Sequence, residues 1–338
     1  ALLVVAPVTV PGQVTATPAA EAPAPRYARP NDPWIYRGTD IPVDRHWLFG
    51  ELPNGLRYAV RENGVPPGQV SIRVRIDAGS LHEKESERGF AHLIEHLTFR
   101  QSKYLGDGEA IPYFQRLGAR FGADTNAITS PTQTVYQLDL PNARPAMLDE
   151  SMGLVPGMVG DPTLSKANLA ADLPIVLAEG RERAGPDKRV ADAQRELLFA
   201  GQLLAERSPI GSLQTLQAAT PEAVRAFHDR WYRPDKTVVV VVGDADPQLL
   251  AGLIERYFGD WQADGPPPPE PDFGMPKAGS GVDKDNPVGE TRVLVEAGLP
   301  RGLTFAYLRP WQGVVDNLEY NRGLLIDAIA EAIVNRRL

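Results

Sequence analysis

Cysteine is absent from the 338 residues, which removes zinc fingers and iron–sulfur clusters from consideration. Any metal site must be built from histidine and carboxylates, and the chain has only five histidines. A long basic run is also missing. The net charge is −8, whereas a nucleic-acid binder carries a basic patch or stripe. No apolar stretch approaches the roughly 20 residues a membrane span needs. The apolar opening, Ala1 to Val10, has the length of a signal-peptide h-region and reads as the tail of a signal. Export, to the periplasm or beyond the cell, is the expectation. What is present suits a globular protein: 43% hydrophobic and 23% charged residues.

From Pro11 to about Arg29, Ala, Pro, Thr and Glu dominate, a composition that cannot pack. Residues 1–45 are read as signal remnant and flexible arm. Asn54-Gly55, between Trp47–Phe49 and Leu56–Val60, is a two-residue hairpin signal. Val70, Ile72, Val74 and Ile76 alternate with polar residues, which predicts a half-buried strand. A helix is expected from Glu83 to about Tyr104, a second from Gly108 to Leu117, and a strand pair around Ala123–Ala127 and Thr134–Leu140. Helices follow from Arg144 to Phe227, one of them capped by Thr220 with Pro221 in its first position. Val238–Val242 reads as a strand buried on both faces, and Pro247–Tyr257 as a helix. This succession predicts an α+β domain, 46–264, whose mixed, largely antiparallel sheet is flanked by helices. The proline run from Gly265 marks a stiff linker, 265–290. Residues 291–338, with a strand at Thr291–Ala297 and a helix at Asn317–Arg336, read as the start of a second, incomplete α+β domain.

The chemistry concentrates in His92-Leu93-Ile94-Glu95-His96. Residues four apart share a helix face, so His92 and His96 can direct two imidazoles at one metal ion. Glu95 can then reach a water on that metal and take its proton. The arrangement is the HExxH zinc site with its order inverted, and arises by chance in roughly 0.01 of chains with this composition. Leu93, Ile94 and Leu97 supply an apolar face without the histidines. A catalytic zinc also needs a third protein ligand. Asp172 and Glu179 lie two helical turns apart on one face; Glu179 is read as the ligand and Asp172 as a carboxylate orienting an imidazole. On spacing alone a solvated helix carboxylate remains the alternative for Glu179. His46, His82 and His228 sit in no ligand spacing and read as surface or structural residues. Zinc suits two imidazoles and a carboxylate, although manganese or cobalt can take the same ligands.

Gly89–Phe99 closely resembles the active-site helix of the pitrilysin/insulinase family. Leu52–Leu56, Leu117-Gly118, Thr125-Asn126-Ala127, Thr134-Val135-Tyr136, Ile175–Glu179, Ser208–Gly211, Phe227–Pro234 and Val240–Asp244 fit the family pattern in order, so the likeness spans about Trp47 to Trp261. The resemblance implies one zinc ion held by His92, His96 and Glu179, with Glu95 as general base of an endopeptidase. It implies that the strand Asp124, Thr125, Asn126, Ala127, Ile128 and on to Ser130 binds a peptide substrate as an added strand. Family members close two related halves around a chamber, which favours peptides and unfolded segments. A second half is therefore an expected partner, on the same polypeptide or a separate subunit. Two departures stand out: Asp172 replaces the usual Glu, and Pro174 interrupts a segment that is normally continuous helix. A non-catalytic scaffold or processing partner is the alternative reading, against which the intact His92/Glu95/His96 set counts.

Overall fold

The computed structural model describes Trp34 and residues 39–142, 144–182, 184–277, 289–299, 302–304, 306 and 316–337. The apolar opening, most of the N-terminal arm and residues 278–288 of the linker lie outside them. The chain divides into two units, His46–Leu299 and one formed by Ala1–Arg45 with Pro300–Leu338.

The first unit is built on one sheet of six strands: β1 (Trp47–Glu51), β2 (Arg57–Glu62), β3 (Val70–Ile76), β4 (Thr125–Thr129), β5 (Thr134–Leu140) and β6 (Thr237–Gly243), in the order β1-β2-β6-β3-β5-β4. Only β2 and β6 run parallel; the other neighbours are antiparallel. The mixed, largely antiparallel α+β fold read from the sequence is what the chain adopts. The alternation in β3 fixes its facing: Val70, Ile72, Val74 and Ile76 are fully buried, while Ser71 and Arg73 on the other face bond Asp139 of β5. Strand β6 departs from the expectation of two buried faces. Val239 and Val241 are sealed in the core, but Val238, Val240 and Val242 are half-buried. Their cross-strand neighbours are Arg57 and Arg75, Arg73, and Arg61, whose long side chains cover apolar surface only in part.

The β1–β2 connection is longer than a two-residue hairpin. Leu52 and Leu56 close it through Leu52 N–H to Leu56 O at 2.8 Å, and Gly55 takes φ +88°, a conformation that glycine adopts without steric cost. The Asn54 amide donates to Phe258 O and Trp261 O, tying this turn to the end of a distant helix.

Helices α1 (Phe90–Thr98), α2 (Ala110–Arg116), α3 (Pro145–Gly160), α4 (Lys166–Glu182), α5 (Pro186–Leu198), α6 (Leu213–Gln217), α7 (Pro221–Trp231) and α8 (Pro247–Phe258) complete the unit. The helix expected from Glu83 is shorter at both ends. Ser80–His82 and Glu85–Glu87 form single 3-10 turns, and Gly89, at φ +101°, breaks the chain before α1 begins. Helix α4, by contrast, runs unbroken through Pro174. Thr220 caps α7 as expected, its hydroxyl accepting from Ala223 N–H at 3.3 Å.

Residues 291–297 form no strand. They are held by ion pairs instead, Arg292 with Glu196 and Glu296 with Arg189, and most of their side chains stay in water, so no sheet edge recruits them. In the second unit, α9 (Leu318–Arg337) follows the expected helix, and Leu318 N–H donates to Asp40 Oδ1 at 2.8 Å. Among the described residues no helix is long and apolar enough to cross a membrane.

Candidate metal centre

Helix α1 is held in the core by Phe90, Leu93, Ile94 and Leu97, none more than 1% exposed. That burial turns the opposite stripe, His92 and His96, towards α4. Their rings stand edge to face with centroids 4.8 Å apart. One carboxylate oxygen of Glu179, Oε2, lies 3.6 Å from His92 Nε2 and 3.4 Å from His96 Nε2. Four ligands about 2.0–2.1 Å from a tetrahedral zinc stand about 3.4 Å from one another. Glu179 Oε2 thus stands at about that separation from both imidazole nitrogens, and ligand atoms of the three residues all lie within 4.8 Å of one another, with the donor chemistry of a three-residue zinc site. No other group of three or more His, Asp or Glu with metal-binding spacing occurs among the described residues. The sequence-predicted ligand trio is therefore brought together in space.

Asp172 is placed differently from its sequence reading. It is buried on α4, and both its oxygens accept from Arg100, Oδ2 from Nε at 2.6 Å and Oδ1 from Nη2 at 2.9 Å. A guanidinium offers two parallel donors, which a carboxylate matches better than it matches an imidazole. Arg100 follows α1 directly, so this pair ties the end of the histidine helix to the helix bearing Glu179.

Glu95 lies one residue before His96 and points towards β4, where the Thr129 hydroxyl donates to its Oε2. Burial pushes the Glu95 carboxyl up; Thr129 and the His96 ring draw it down, and Glu179 adds to the rise. Nearby lies a buried line of hydroxyls: Thr98 Oγ1 is 3.2 Å from Tyr136 Oη, which is 3.1 Å from Tyr232 Oη. Burial pushes both phenols up.

Strand β4 is an outer strand of the sheet. Antiparallel pairing alternates main-chain groups between the partner strand and the free edge. Thr125, Ala127 and Thr129 face outwards, but not all are available. Thr125 N–H donates to Arg120 O, and Thr125 O accepts from Gly122 N–H. Ala127 N–H is met by Asn126 Oδ1 at 2.9 Å. Asp124 accepts from Arg120 N–H and Nε, and its carbonyl accepts from Asp139 N–H, so it closes the turn before the strand. Ile128 is exposed on the opposite face. Of the five residues read as the substrate strand, what stays open to another strand narrows to the Ala127 carbonyl, since the Ala127 N–H is taken by Asn126.

Several supports were not legible in the sequence. Glu83, buried ahead of α1, accepts from Gly89 N–H and Ala91 N–H at 2.9 Å each and so caps the histidine helix. Burial pushes its pKa up to about 8, against those two bonds and Arg207. Glu83 falls in no motif, and Thr129 lies in the segment read as substrate strand with no role towards Glu95; folding brings both to the histidine helix. His82 and His228 are buried structural residues, and neither joins the metal-binding group. His82 Nδ1 accepts from Gly79 N–H, and His228 stacks on Tyr232 at 4.7 Å.

Residues 58–199 match the model of the insulinase family, peptidase family M16, and residues 218–299 match that of the M16 inactive domain. The chain belongs to the M16 family. Within it, the chain is 34% identical to "Probable zinc protease PqqL" of Escherichia coli (strain K12) over 215 residues, which is 64% of this chain and 23% of that protein. It is 31% identical to "Zinc protease PQQL-like" of Arabidopsis thaliana over 229 residues, 68% of this chain and 24% of the other. The fold is similar to the solved first half of the periplasmic protease PqqL from Escherichia coli, with TM-score 0.66, 33% identity, and coverage of 70% of this chain and 50% of that one. A protease from Helicobacter pylori shares the fold at TM-score 0.60 and 25% identity, over 69% of this chain and 54% of that one. The chain thus spans about a quarter of the length of these two curated relatives. The M16 inactive-domain match starts before the proline run and includes β6, which lies inside the six-stranded sheet.

Proposed function

We propose that this chain supplies the zinc centre of an exported M16 endopeptidase that hydrolyses peptides or unfolded protein segments. The observation that carries this reading is the meeting of His92 Nε2 and His96 Nε2 with one oxygen of Glu179, at 3.6 and 3.4 Å. Zinc bound there supplies a Lewis acid that polarises the scissile carbonyl and makes a water acidic near neutral pH. Glu95, next to His96, accepts the proton of the attacking water and delivers it to the leaving amine. Thr129 holds one Glu95 oxygen.

The substrate backbone adds as a strand at the outer edge of β4, along Ala127 to Thr129. This mode reads main chain and places few demands on side chains. A second M16 half, in the same longer polypeptide or a separate subunit, completes the substrate site. Export rests on the apolar opening and on likeness to a protease named as periplasmic. An intact ligand trio counts against a purely non-catalytic scaffold.

The deciding experiment is hydrolysis of unstructured peptides by the zinc-loaded, full-length protein beside its Glu95→Gln variant. A general base contributes typically 10²–10⁴-fold, so the variant should lose about that factor while retaining its metal. Equal turnover in the two proteins eliminates the mechanism.

A further inference from the structure

We infer that Thr129 is the positioning residue for Glu95 and that it couples the peptide-binding edge of β4 to the proton-handling carboxylate. The inference rests on the endopeptidase reading above and adds a residue to it.

The register supplies the geometry. Thr125, Ala127 and Thr129 alternate onto the helix-covered face of the sheet, and the first two are buried there. Thr129, last in the strand, reaches the rim of that face, where its hydroxyl donates to Glu95 Oε2. A hydroxyl can donate only one hydrogen, so this bond leaves Thr129 Oγ1 as an acceptor and commits its proton to the carboxylate.

The position is itself anchored. Thr129 pairs with Thr134, whose hydroxyl donates to Ala78 O at 3.0 Å. The adjoining Ser130 and Pro131 carbonyls accept from Ser80 N–H and Leu81 N–H at 3.2 and 2.8 Å. The turn after Thr129 is therefore fastened to the loop that leads through Glu83 into α1. The Ala127 carbonyl, on the outer edge of β4, is two residues, one strand repeat, from Thr129. A peptide paired along that edge lies beside the group that sets the direction of Glu95, so docking and base orientation share one rigid segment. A carboxylate with one oxygen fixed has a single free oxygen to present to water, which defines the line of proton transfer.

The test is steady-state hydrolysis of an unstructured peptide by the zinc-loaded, full-length protein and its Thr129→Val, Thr129→Ser and Glu95→Gln variants, with bound zinc and thermal melting measured on each. Valine keeps the β-branched shape and removes the donor; serine keeps the donor. Thr129→Val is expected to lower kcat by about 10- to 100-fold, the range for a hydrogen bond to a charged group. KM should stay within about twofold, with zinc content and melting temperature at wild-type values, and Thr129→Ser should recover most of kcat. Wild-type kcat in Thr129→Val, beside a Glu95→Gln protein that has lost turnover, overturns this inference alone. So does a loss in Thr129→Val accompanied by lost zinc or a lowered melting temperature, or a Thr129→Ser protein as slow as the valine variant. Full turnover in Glu95→Gln overturns this inference and the endopeptidase reading together.

Discussion

Arg100 and Asp172 form a two-pronged pair, Nε to Oδ2 at 2.6 Å and Nη2 to Oδ1 at 2.9 Å, that joins the end of α1 to α4. The Asp172 side chain is 7% exposed and that of Arg100 is 23% exposed, so water weakens the pair little. The three candidate ligands divide between these same two helices, His92 and His96 on one and Glu179 on the other. Cutting the tie should let the ligands drift apart without removing any of them. Asp172→Asn and Arg100→Leu are each expected to weaken zinc binding by about tenfold, the lower end for losing an outer support of a metal site. Zinc titration against a competing chelator measures this. Wild-type affinity in both variants refutes the claim that the pair sets the site.

Zinc itself should stabilise the fold, because the donors are assembled only in the folded chain. With free zinc at 100 times its dissociation constant, the gain is about 2.7 kcal/mol. For a unit of this size that corresponds to roughly 5–10 °C in melting temperature. Calorimetry with and without chelator reads the shift. His92→Ala and Glu179→Ala should abolish it, since each leaves two donors. The same zinc-dependent rise in either variant would place the ion elsewhere.

What the sequence made legible follows from how local the cause is. The histidine pair and Glu95 are one helical turn of a single segment, so spacing alone placed them. Strand β3 announced its facing through strict alternation, and Thr220 its capping role through the residue that follows. Glu179 needed the family likeness, because a carboxylate on an amphipathic helix looks the same whether it faces water or a metal. The partner of Asp172 was hidden for a different reason: Arg100 is far away in the chain, and only the packing of α4 on α1 brings it near. The helix predicted from Glu83 failed because Gly89 at φ +101° interrupts it, and the carboxylate of Glu83 is turned back as a cap. The expected strand at 291–297 had the right residue types, but its Arg292 and Glu296 pair with Glu196 and Arg189 of α5 and the segment joins no strand. Apolar character alone does not make a strand.

Glu83 gives the fold a pH dependence of definite sign. Its pKa is raised from 4.5 to about 8 by burial, so the folded state keeps a proton that the unfolded chain releases. The contribution is fully present below about pH 4.5 and fades as pH rises towards 8, at up to about 1.4 kcal/mol per pH unit. Denaturant unfolding of metal-free protein between pH 5 and pH 8 should show stability falling by more than in a Glu83→Gln variant, whose slope should be flatter. Parallel profiles for the two proteins would remove Glu83 as the cause.

The proline-rich segment after α8 was read as a stiff linker, and residues 264–277 of it are fastened along the domain. Arg233, itself buried, donates to Asp264 O and Gly265 O at 3.0 Å each. Glu270 meets Lys236 Nζ and lies 3.5 Å from His82 Nε2. His82 Nδ1 already accepts from Gly79 N–H, so the ring proton sits on Nε2, facing Glu270. Further along, Phe273 O accepts from Leu203 N–H at 2.9 Å, and Lys277 N–H donates to Ala200 O at 2.7 Å. These last two amides report whether the strap is seated. In hydrogen exchange both should be protected in the wild-type protein. Arg233→Ala removes both carbonyl contacts at the root of the strap and should speed exchange at Leu203 and Lys277 by about tenfold, equivalent to roughly 1.4 kcal/mol of lost local stability. Amides in β3, buried at the sheet centre, should keep their wild-type rates. Unchanged exchange at Leu203 and Lys277 would mean that Arg233 does not hold the strap, and acceleration everywhere would mean that it holds the whole domain.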